Sequence, residues 1–484
     1  MGRSESKAKK ALLKLLKNTF SDLVQCEEVD VKESYRLPDK KVKVHIGDYP
    51  FQINLYPDGK ALHLYPEQTL KSSDENSEPK RYILFDPESY YSRISGFYRI
   101  EEGEKITLGG DDIEQQDFLN ISNETPQRKL SISNDDGSLI FKSHVPNPKS
   151  CIAPLLKDKK VNLVVNWRQK KLQRLRDIFG GPIQCLPEPE ALSLIREVNG
   201  ILEDEAYRPK DKSGQPGGII ALPAKLQVFI VGDLHTKYDN LLTILSQNHF
   251  LEGLEDGSAC LLILGDAIHC EEPGHYDEMQ TSLLMMDLIF KLKVRFPNQV
   301  FYLRGNHDSF SEDISKGGIP QGILWENELK KSRGKSYLNE MNRCYQLLPY
   351  VAFSDRFIAC HAAAPTSSVS KDALVNIKDN PKLIQQVINN RLRKPNRPAG
   401  YSKRDIKRFR KCLNVSEKTP VIVGHTPMSM DETLWERVGE IDDHFVAYAA
   451  NNDWVGVMAQ IQDRLYPLRY PVEPVAAIIN SLPN

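Results

Sequence analysis

The stretch FYLRGNHDSF, residues 301–310, changes character halfway along its length. An apolar run that is typical of a buried strand stops at Arg304, and Asn306, His307 and Asp308 follow directly. An amide, an imidazole and a carboxylate at the end of a strand indicate either a polar turn or a metal site with an acid–base group beside it. Other parts of the chain distinguish these two interpretations.

Polar residues follow several other apolar runs in the second half of the chain. Helical stretches alternate there with runs such as LQVFIVGD, CLLILGD, RFIACHA and PVIVGHTP. Runs that are apolar on both faces are typical of strands covered by helices. In open α/β folds the functional site lies at the carboxyl ends of the strands. We therefore expect the residues that follow these runs to converge with Asn306 and His307, namely Asp233, His235, Asp266, His361 and His425.

These side chains suit a site for two divalent cations. Two ions about 3.5–4 Å apart need a bridging carboxylate and several nitrogen and oxygen ligands. Mn²⁺, Fe and Zn²⁺ accept carboxylate, imidazole and amide oxygen, and the lack of ligating cysteines argues against a structural zinc site. Such ions produce a hydroxide near neutral pH, and a nearby histidine can protonate the leaving group. Taken singly, such an aspartate is more often a turn residue, and such a histidine more often a core or surface residue, than a ligand.

The ordered motifs GD-x-H, GD, GNHD, H and GH resemble those of the calcineurin-like metallophosphoesterases over roughly residues 185–470. LRGNHD is similar to the Leu-Arg-Gly-Asn-His-Glu motif of the phosphoprotein phosphatase branch, and CYQLLPYVAFSDRFIACHAAAP and VAYAANND resemble further segments of that branch. The resemblance implies an α/β fold in which helices flank a metallophosphatase β-sandwich. It also implies hydrolysis of phosphate monoesters on phosphoproteins by a hydroxide that two metal ions activate.

The resemblance implies a role for each matching residue. His307 would be the general acid. Two divalent ions would be the cofactors, with Mn²⁺ expected and Fe or Zn²⁺ as alternatives. Asp233 and His235 would bind the first ion, and Asp266 would bridge the two ions. The second ion would be bound by Asn306, His361 and His425.

The segment GDAIHCE, residues 265–271, departs from the Gly-Asp-x-x-Asp-Arg-Gly motif of the branch. His269 replaces the aspartate that orients the catalytic histidine, and Cys270 replaces an arginine that holds the substrate phosphate. Three interpretations remain open. Asp308 or His269 orients His307, or the enzyme is slow, or the chain only binds phosphoproteins.

Another arginine is expected to contact the phosphate. The branch places a second phosphate-binding arginine in the region that corresponds to the basic stretch 391–411. Arg397 is the candidate there and Arg304 is a further one, while a solvated helix face is the alternative explanation of the stretch. The preference between phosphoserine or phosphothreonine and phosphotyrosine stays open. Hydrolysis of nucleotides such as dinucleoside polyphosphates, which families with GHTP motifs perform, is an alternative activity.

The first part of the chain is predicted to contain an amphipathic helix and a β-rich module. Residues 1–28 have apolar residues on one helical face, with Gly2 and Ser6 at N-myristoylation spacing. Packing of this helix on the protein itself is favoured over membrane association. Residues 29–150 contain short strands and turns, and part of them resembles a forkhead-associated sandwich. Gly110 replaces the phosphothreonine-reading arginine of that family, so a degenerate module for packing or partner contact is expected.

The remaining predicted domains are a helical connector at residues 151–210 and the catalytic domain at residues 211–475. The 64 basic and 65 acidic residues give no reason to expect a nucleic-acid partner. Eight cysteines without a CxxC pair favour a reducing compartment such as the cytoplasm. No membrane span or signal peptide is recognisable. The altered second motif and the fused β module suggest a bacterial effector that acts in a host cytoplasm.

Overall fold

The structure, a computed structural model, forms two compact units, Met1–Trp167 and Arg168–Asn484. The predicted helix at residues 1–28 lies outside the described residues except at its end, where Glu27 begins a strand. The domain boundaries at residues 150 and 210 remain predictions. The structure describes residues 26–45, 51–55, 61–66, 82–85, 97–100, 102–108, 118–119, 130–144, 149–154, 160–247, 250–394, 399–430, 432–461 and 464–483.

The first unit is a sandwich of two six-stranded sheets. Its strands are β1 Glu27–Asp30, β2 Tyr35–Arg36, β3 Lys41–His45, β4 Phe51–Asn54, β5 Ala61–Pro66, β6 Tyr82–Phe85, β7 Phe97–Ile100, β8 Lys105–Leu108, β9 Phe118–Leu119, β10 Leu130–Asp135, β11 Ser138–Ser143 and β12 Cys151–Pro154. The strand orders of the two sheets are β1-β3-β11-β10-β8-β9 and β2-β12-β4-β5-β6-β7.

Alternating residues of both sheets form one apolar core in this unit, with Val42 and Val44 from β3 and Ile53 from β4 fully buried. Asp136 and Gly137, with φ of 47° and 78°, join β10 to β11. Two positive φ angles give the tight hairpin turn that an Asp-Gly pair favours. The expected β-rich, sandwich-like N-terminal domain is confirmed. Gly110 lies outside the described residues, so the forkhead-associated resemblance stays a prediction.

The second unit contains two further sheets and the helices around them. The helices are α1 Lys160–Ile178, which begins before the unit boundary, α2 Glu188–Glu203, α3 Tyr238–Ser246, α4 Phe250–Glu255, α5 Gln280–Arg295, α6 Gln321–Leu347, α7 Lys371–Val375, α8 Pro381–Asn389, α9 Lys403–Cys412 and α10 Val475–Ser481, with 3₁₀ turns at Ile377–Asp379 and Val438–Glu440. The strands are β13 Ile219–Ala221, β14 Gln227–Val231, β15 Ala259–Ile263, β16 Val300–Tyr302, β17 Val351–Ser354, β18 Phe357–Cys360, β19 Val421–Val423, β20 Leu434–Glu436, β21 His444–Ala447, β22 Trp454–Ile461 and β23 Arg464–Pro471.

The two sheets have strand orders β13-β17-β18-β19-β21-β20 and β16-β15-β14-β22-β23. They share an apolar core, to which Ile230 and Leu262 contribute from one sheet and Ala359 and Ile422 from the other. A second apolar cluster covers the outer face of the six-stranded sheet with residues of α8 and α9. The α/β sandwich flanked by helices is therefore confirmed.

Parallel pairing determines where the loops of this sandwich meet. Strands β14, β15 and β16 are parallel neighbours, and β18 and β19 are parallel in the other sheet. The carboxyl ends of parallel neighbours share one edge of a sheet, so the loops that follow them lie together. Among the described helices, none is both long and apolar enough to cross a membrane.

Candidate metal and catalytic site

Two glycines allow the strand-end loops to approach one another closely. A Cβ atom at Gly305 would lie 2.1 Å from Oδ1 of Asp266, and a Cβ atom at Gly424 would lie 2.1 Å from Oδ1 of Asp233. Any side chain at either position would displace a carboxylate. The glycines of the GNHD and GH motifs are therefore required because the backbone passes directly against the acidic groups.

One group of side chains forms around His235. Its Nε2 lies 3.9 Å from Oδ2 of Asp233, and both side chains are almost fully buried. Its Nδ1 lies 3.1 Å from the carbonyl oxygen of His269, to which it can donate a hydrogen bond. This hydrogen bond leaves Nε2 free to bind a cation, as in most histidine ligands of metals. Ligand atoms of His235, Asp266 and His307 also lie within 4.8 Å of one another, so Asp266 belongs to this group.

A second group forms around the ring of His361. Its Nε2 lies 3.0 Å from Oδ1 of Asn306, 3.2 Å from Oδ2 of Asp266 and 3.3 Å from Nδ1 of His425. Its Nδ1 lies 2.9 Å from the carbonyl oxygen of Leu264, which again leaves Nε2 for a ligand. Four nitrogen and oxygen atoms thus converge on one point. Since Asp266 belongs to both groups, it is placed to bridge two ions.

The two central histidines of this cluster differ in their preference for positive charge. Burial lowers the pKa of His361, but the carboxylates of Asp266 and Asp233 outweigh it and raise that pKa to about 9. Burial and then the neighbouring His361 lower the pKa of His425 to about 3, which keeps its nitrogen unprotonated and able to bind a metal. The donor set and its charge therefore fit divalent cations that accept imidazole and carboxylate.

His307 is held at this cluster by its backbone and by a second histidine. Its backbone N–H donates to Oδ1 of Asp266 at 2.8 Å. Its Nδ1 lies 3.0 Å from Nδ1 of His269, a buried residue whose backbone N–H donates to Oγ of Ser282 at 3.1 Å. Burial lowers the pKa of His307 to about 4. A proton on Nδ1 of His269 would leave the proton of His307 on Nε2, the nitrogen that a proton donor needs.

Asp308 has a different position from His269. Its Oδ1 accepts a hydrogen bond from the hydroxyl of Tyr302 at 2.7 Å, and its Oδ2 accepts from the backbone N–H groups of Gly305 at 2.7 Å and Asp266 at 3.3 Å. The carboxylate thus ties together the two loops that follow β15 and β16. Of the two expected orienting groups, the structure places His269, and not Asp308, against the imidazole of His307.

The structure describes only one of the two arginines that were predicted to bind phosphate. Arg397 lies outside the described residues. Arg304 lines the site cavity, but its Nη1 donates to the carbonyl oxygen of Tyr345 and its guanidinium lies over the Tyr345 ring. Arg391 lines the same cavity and lowers the pKa of His425, which places its positive charge near the cluster. The sequence interpretation missed Arg391, although the residue begins the basic stretch that it singled out.

Glu271 is another residue that the sequence interpretation missed. Its Oε1 lies 3.7 Å from Nε2 of His235 and pairs with Nζ of Lys316, and its Oε2 accepts a hydrogen bond from the hydroxyl of Tyr448 at 2.8 Å. Burial raises the pKa of this carboxyl, but His235 and Lys316 outweigh it and lower the pKa to about 2. The available signal was the last residue of GDAIHCE, where Glu271 replaces the glycine of the related motif.

Most of these groups line one open cavity of about 1180 Å³ in the second unit, whereas His269, Asp308 and His361 are buried behind it. The strand-end cluster forms its floor, and the lining includes apolar side chains such as Ile314 and Ile384 as well as charged ones. The cavity offers room for a substrate much larger than a free phosphate ion. Its chemistry is that of a cation site with a proton donor beside it.

Comparison with known proteins agrees with this geometry. The family model of the calcineurin-like phosphoesterases matches residues 226–452. The serine/threonine-protein phosphatase PP2A-like PPG1 of Candida albicans is 30% identical over 162 residues, which are 33% of this chain and 34% of that protein. The serine/threonine-protein phosphatase rdgC of Drosophila melanogaster is 31% identical over 153 residues, which are 31% of this chain and 20% of that protein. The matches thus span about a third and a fifth of these relatives.

Two phosphatases of solved structure also align with this chain. A protein serine/threonine phosphatase from Saccharomyces cerevisiae with similarity to human phosphatase PP5 aligns with a TM-score of 0.43 and 15% identity, covering 59% of this chain and 90% of that one. A cold-active protein-tyrosine phosphatase of a psychrophilic Shewanella species aligns with a TM-score of 0.33 and 14% identity, covering 52% and 83% of the two chains.

The second unit contains a calcineurin-like phosphoesterase domain, and the strand-end cluster lies within the matched residues. The ordered motifs resemble those of the phosphoprotein phosphatase branch of this family, and both curated relatives are named serine/threonine-protein phosphatases.

Proposed function

We propose that this chain is a metal-dependent phosphoprotein phosphatase that hydrolyses phosphate monoesters. The observation that carries the proposal is the shared position of Asp266, which lies within ligand distance of His235 on one side and of His361 and His425 on the other. Such an arrangement suits two cations held by one bridging carboxylate. The two ions would supply Lewis acidity and a nucleophile at neutral pH.

Each ion would be held by side chains from different strand ends. The first would be held by Asp233, His235 and Asp266. The second would be held by Asn306, His361 and His425, together with Asp266. We propose manganese as the metal, with Fe or Zn²⁺ as alternatives, because the donors are imidazole, carboxylate and amide oxygen and include no thiolate.

The other residues of the cavity would handle the substrate. His307 would donate a proton from Nε2 to the leaving oxygen, and His269 would orient its ring through the contact between their Nδ1 atoms. Arg391 would contact the phosphate, since its charge faces the cavity and guanidinium groups bind phosphate oxygens well. These roles do not depend on Arg397, which lies outside the described residues.

Phosphoproteins are the proposed substrates because the curated relatives are named serine/threonine-protein phosphatases. The size of the cavity is compatible with a peptide segment around the phosphorylated residue. All eight cysteines are free thiols, which supports a reducing compartment such as the cytoplasm. A role as a bacterial effector stays a prediction.

The test is phosphate release by the purified full chain in the presence of Mn²⁺. Matched phosphoserine, phosphothreonine and phosphotyrosine peptides are compared with diadenosine tetraphosphate, and the Asp266→Asn variant is the control. Release from peptides that is lost in the variant supports the proposal and identifies the preferred side chain. Faster turnover of diadenosine tetraphosphate would assign the chain to nucleotide hydrolysis. Metal and phosphopeptide binding without turnover would indicate a binding scaffold.

We also propose that the first unit recognises a protein partner or substrate. It forms a β-sandwich with its own core, and part of its sequence resembles the forkhead-associated family, whose members bind phosphopeptides. Deleting residues 1–150 should preserve turnover of a small substrate such as p-nitrophenyl phosphate and reduce turnover of the partner protein. Equal losses on both substrates would contradict a recognition role.

A further inference from the structure

We propose that Glu271 is an additional ligand of the ion held by Asp233, His235 and Asp266. The inference rests on the proposed function, because it concerns the same metal site. It adds a residue that the ordered motifs do not contain, since glycine is the residue of the related motif at this position.

The first argument is distance. Oε1 of Glu271 lies 3.7 Å from Nε2 of His235, and Oδ2 of Asp233 lies 3.9 Å from the same nitrogen. Atoms that bind one ion at about 2.0–2.2 Å lie about 3–4 Å from each other. The carboxylates of Glu271 and Asp233 therefore lie at similar distances from the histidine nitrogen, within the range expected for ligands of one ion.

The second argument is orientation. The hydroxyl of Tyr448 donates to Oε2 of Glu271 at 2.8 Å, so the other oxygen, Oε1, faces His235. Tyr448 is itself buried, and the Glu271 side chain is only 22% exposed. Ligating carboxylates are commonly held by a hydrogen bond of this kind, which limits their rotation.

The third argument concerns Lys316, which pairs with Oε1 of Glu271. A carboxylate oxygen has two lone pairs and can accept from an ammonium group while it binds a cation. Lys316 would then offset the added negative charge and keep the first ion from being surrounded by uncompensated carboxylates. The rival explanation is that Glu271 serves only as the ion-pair partner of Lys316.

Calorimetric titration of the metal-free full chain with Mn²⁺ separates these explanations. Glu271→Gln removes the charged ligand and should weaken one of two Mn²⁺ binding events about tenfold or more, with the other event changed less. Glu272→Gln is the matched control, because this neighbouring carboxylate lines the same cavity and pairs with Lys237. It should change Mn²⁺ affinity less than about twofold. Lys316→Met should leave the affinity unchanged or increase it.

Wild-type affinity in Glu271→Gln would overturn the inference, and so would an equal loss in Lys316→Met and Glu271→Gln. If Glu271→Gln does not fold by circular dichroism, Tyr448→Phe gives the test, with a smaller loss expected at the same event. If the wild type binds two Mn²⁺ ions and releases phosphate, and the Mn²⁺ affinity of Glu271→Gln equals that of the wild type, the proposed function still holds and only the role of Glu271 is wrong. No Mn²⁺ binding by the wild type would overturn both.

Discussion

Nδ1 of His269 lies 3.0 Å from Nδ1 of His307, so that one imidazole positions another at the edge of the metal-binding cluster. In the related motif an aspartate occupies the position of His269. A carboxylate stabilises an adjacent imidazolium, whereas a neutral imidazole offers a hydrogen bond without charge. His269 can therefore orient the ring of His307. The protonated form of His307 is less stable beside His269 than it would be beside a carboxylate.

A change of His269 to aspartate should alter the pH profile of the enzyme. Burial lowers the pKa of His307 to about 4, and a proton-donating imidazolium loses activity as the pH rises through its pKa. His269→Asp should raise that pKa by about one unit or more, which moves the alkaline limb of kcat/KM to higher pH. His269→Asn is the control, since its uncharged amide should leave the limb in place. Equal profiles for both variants would contradict the pairing.

Removal of metal should abolish turnover, and Asp266 should be required for added metal to restore it. Treatment with EDTA should eliminate phosphate release, and added Mn²⁺ should restore it in the wild type but not in Asp266→Asn, because the Asp266 carboxylate belongs to both groups of candidate ligands and would serve both ions. The metal content of each protein, measured by inductively coupled plasma mass spectrometry, shows whether lost activity goes with lost metal. Asp453→Asn, which lines the cavity outside the ligand groups, should recover fully. Restoration of Asp266→Asn by Mn²⁺ would exclude a bridging role.

Arg391 should contribute to substrate binding. Losing one charge-assisted hydrogen bond to phosphate costs about 1.5–3 kcal/mol, so Arg391→Ala should lower kcat/KM by roughly tenfold to a hundredfold. Arg393→Ala is the matched control, because Arg393 is an exposed neighbour that does not line the cavity. Steady-state kinetics on the preferred phosphopeptide measure both. Similar losses in the two variants would indicate a general effect of charge on substrate attraction.

Asp308 should matter for stability as well as activity. Its two oxygens accept three hydrogen bonds, and an asparagine would turn an NH₂ group toward at least one of those donors. Asp308→Asn should therefore lower the free energy of unfolding by about 1–3 kcal/mol, seen as a lower melting temperature. Tyr302→Phe removes one of the three bonds to Asp308 and also leaves the backbone N–H of Ala267 without its acceptor, so it should lower the melting temperature as well. A melting temperature unchanged in Asp308→Asn would show that the loops are held by other contacts.

Much of the catalytic fold could be predicted from local patterns. Apolar runs such as residues 259–263 are buried on both faces of their strand, and this burial is visible as an unbroken apolar segment. The polar residues after each run could be placed at one edge because parallel strands end together. The glycines of GNHD and GH could be recognised as motif members, but their purpose, the close approach to Asp266 and Asp233, required the structure.

The sequence by itself determined the two-sheet α/β class and the order of the polar residues at the strand ends, because strand burial and strand direction are local or repetitive properties. Only the tertiary structure decided that His269 rather than Asp308 lies against His307, that Arg391 faces the cavity, and that Lys316 and Tyr448 hold Glu271 beside His235. These contacts join loops that are far apart in the chain. Their geometry depends on the packing of both sheets, which no local pattern of residues records.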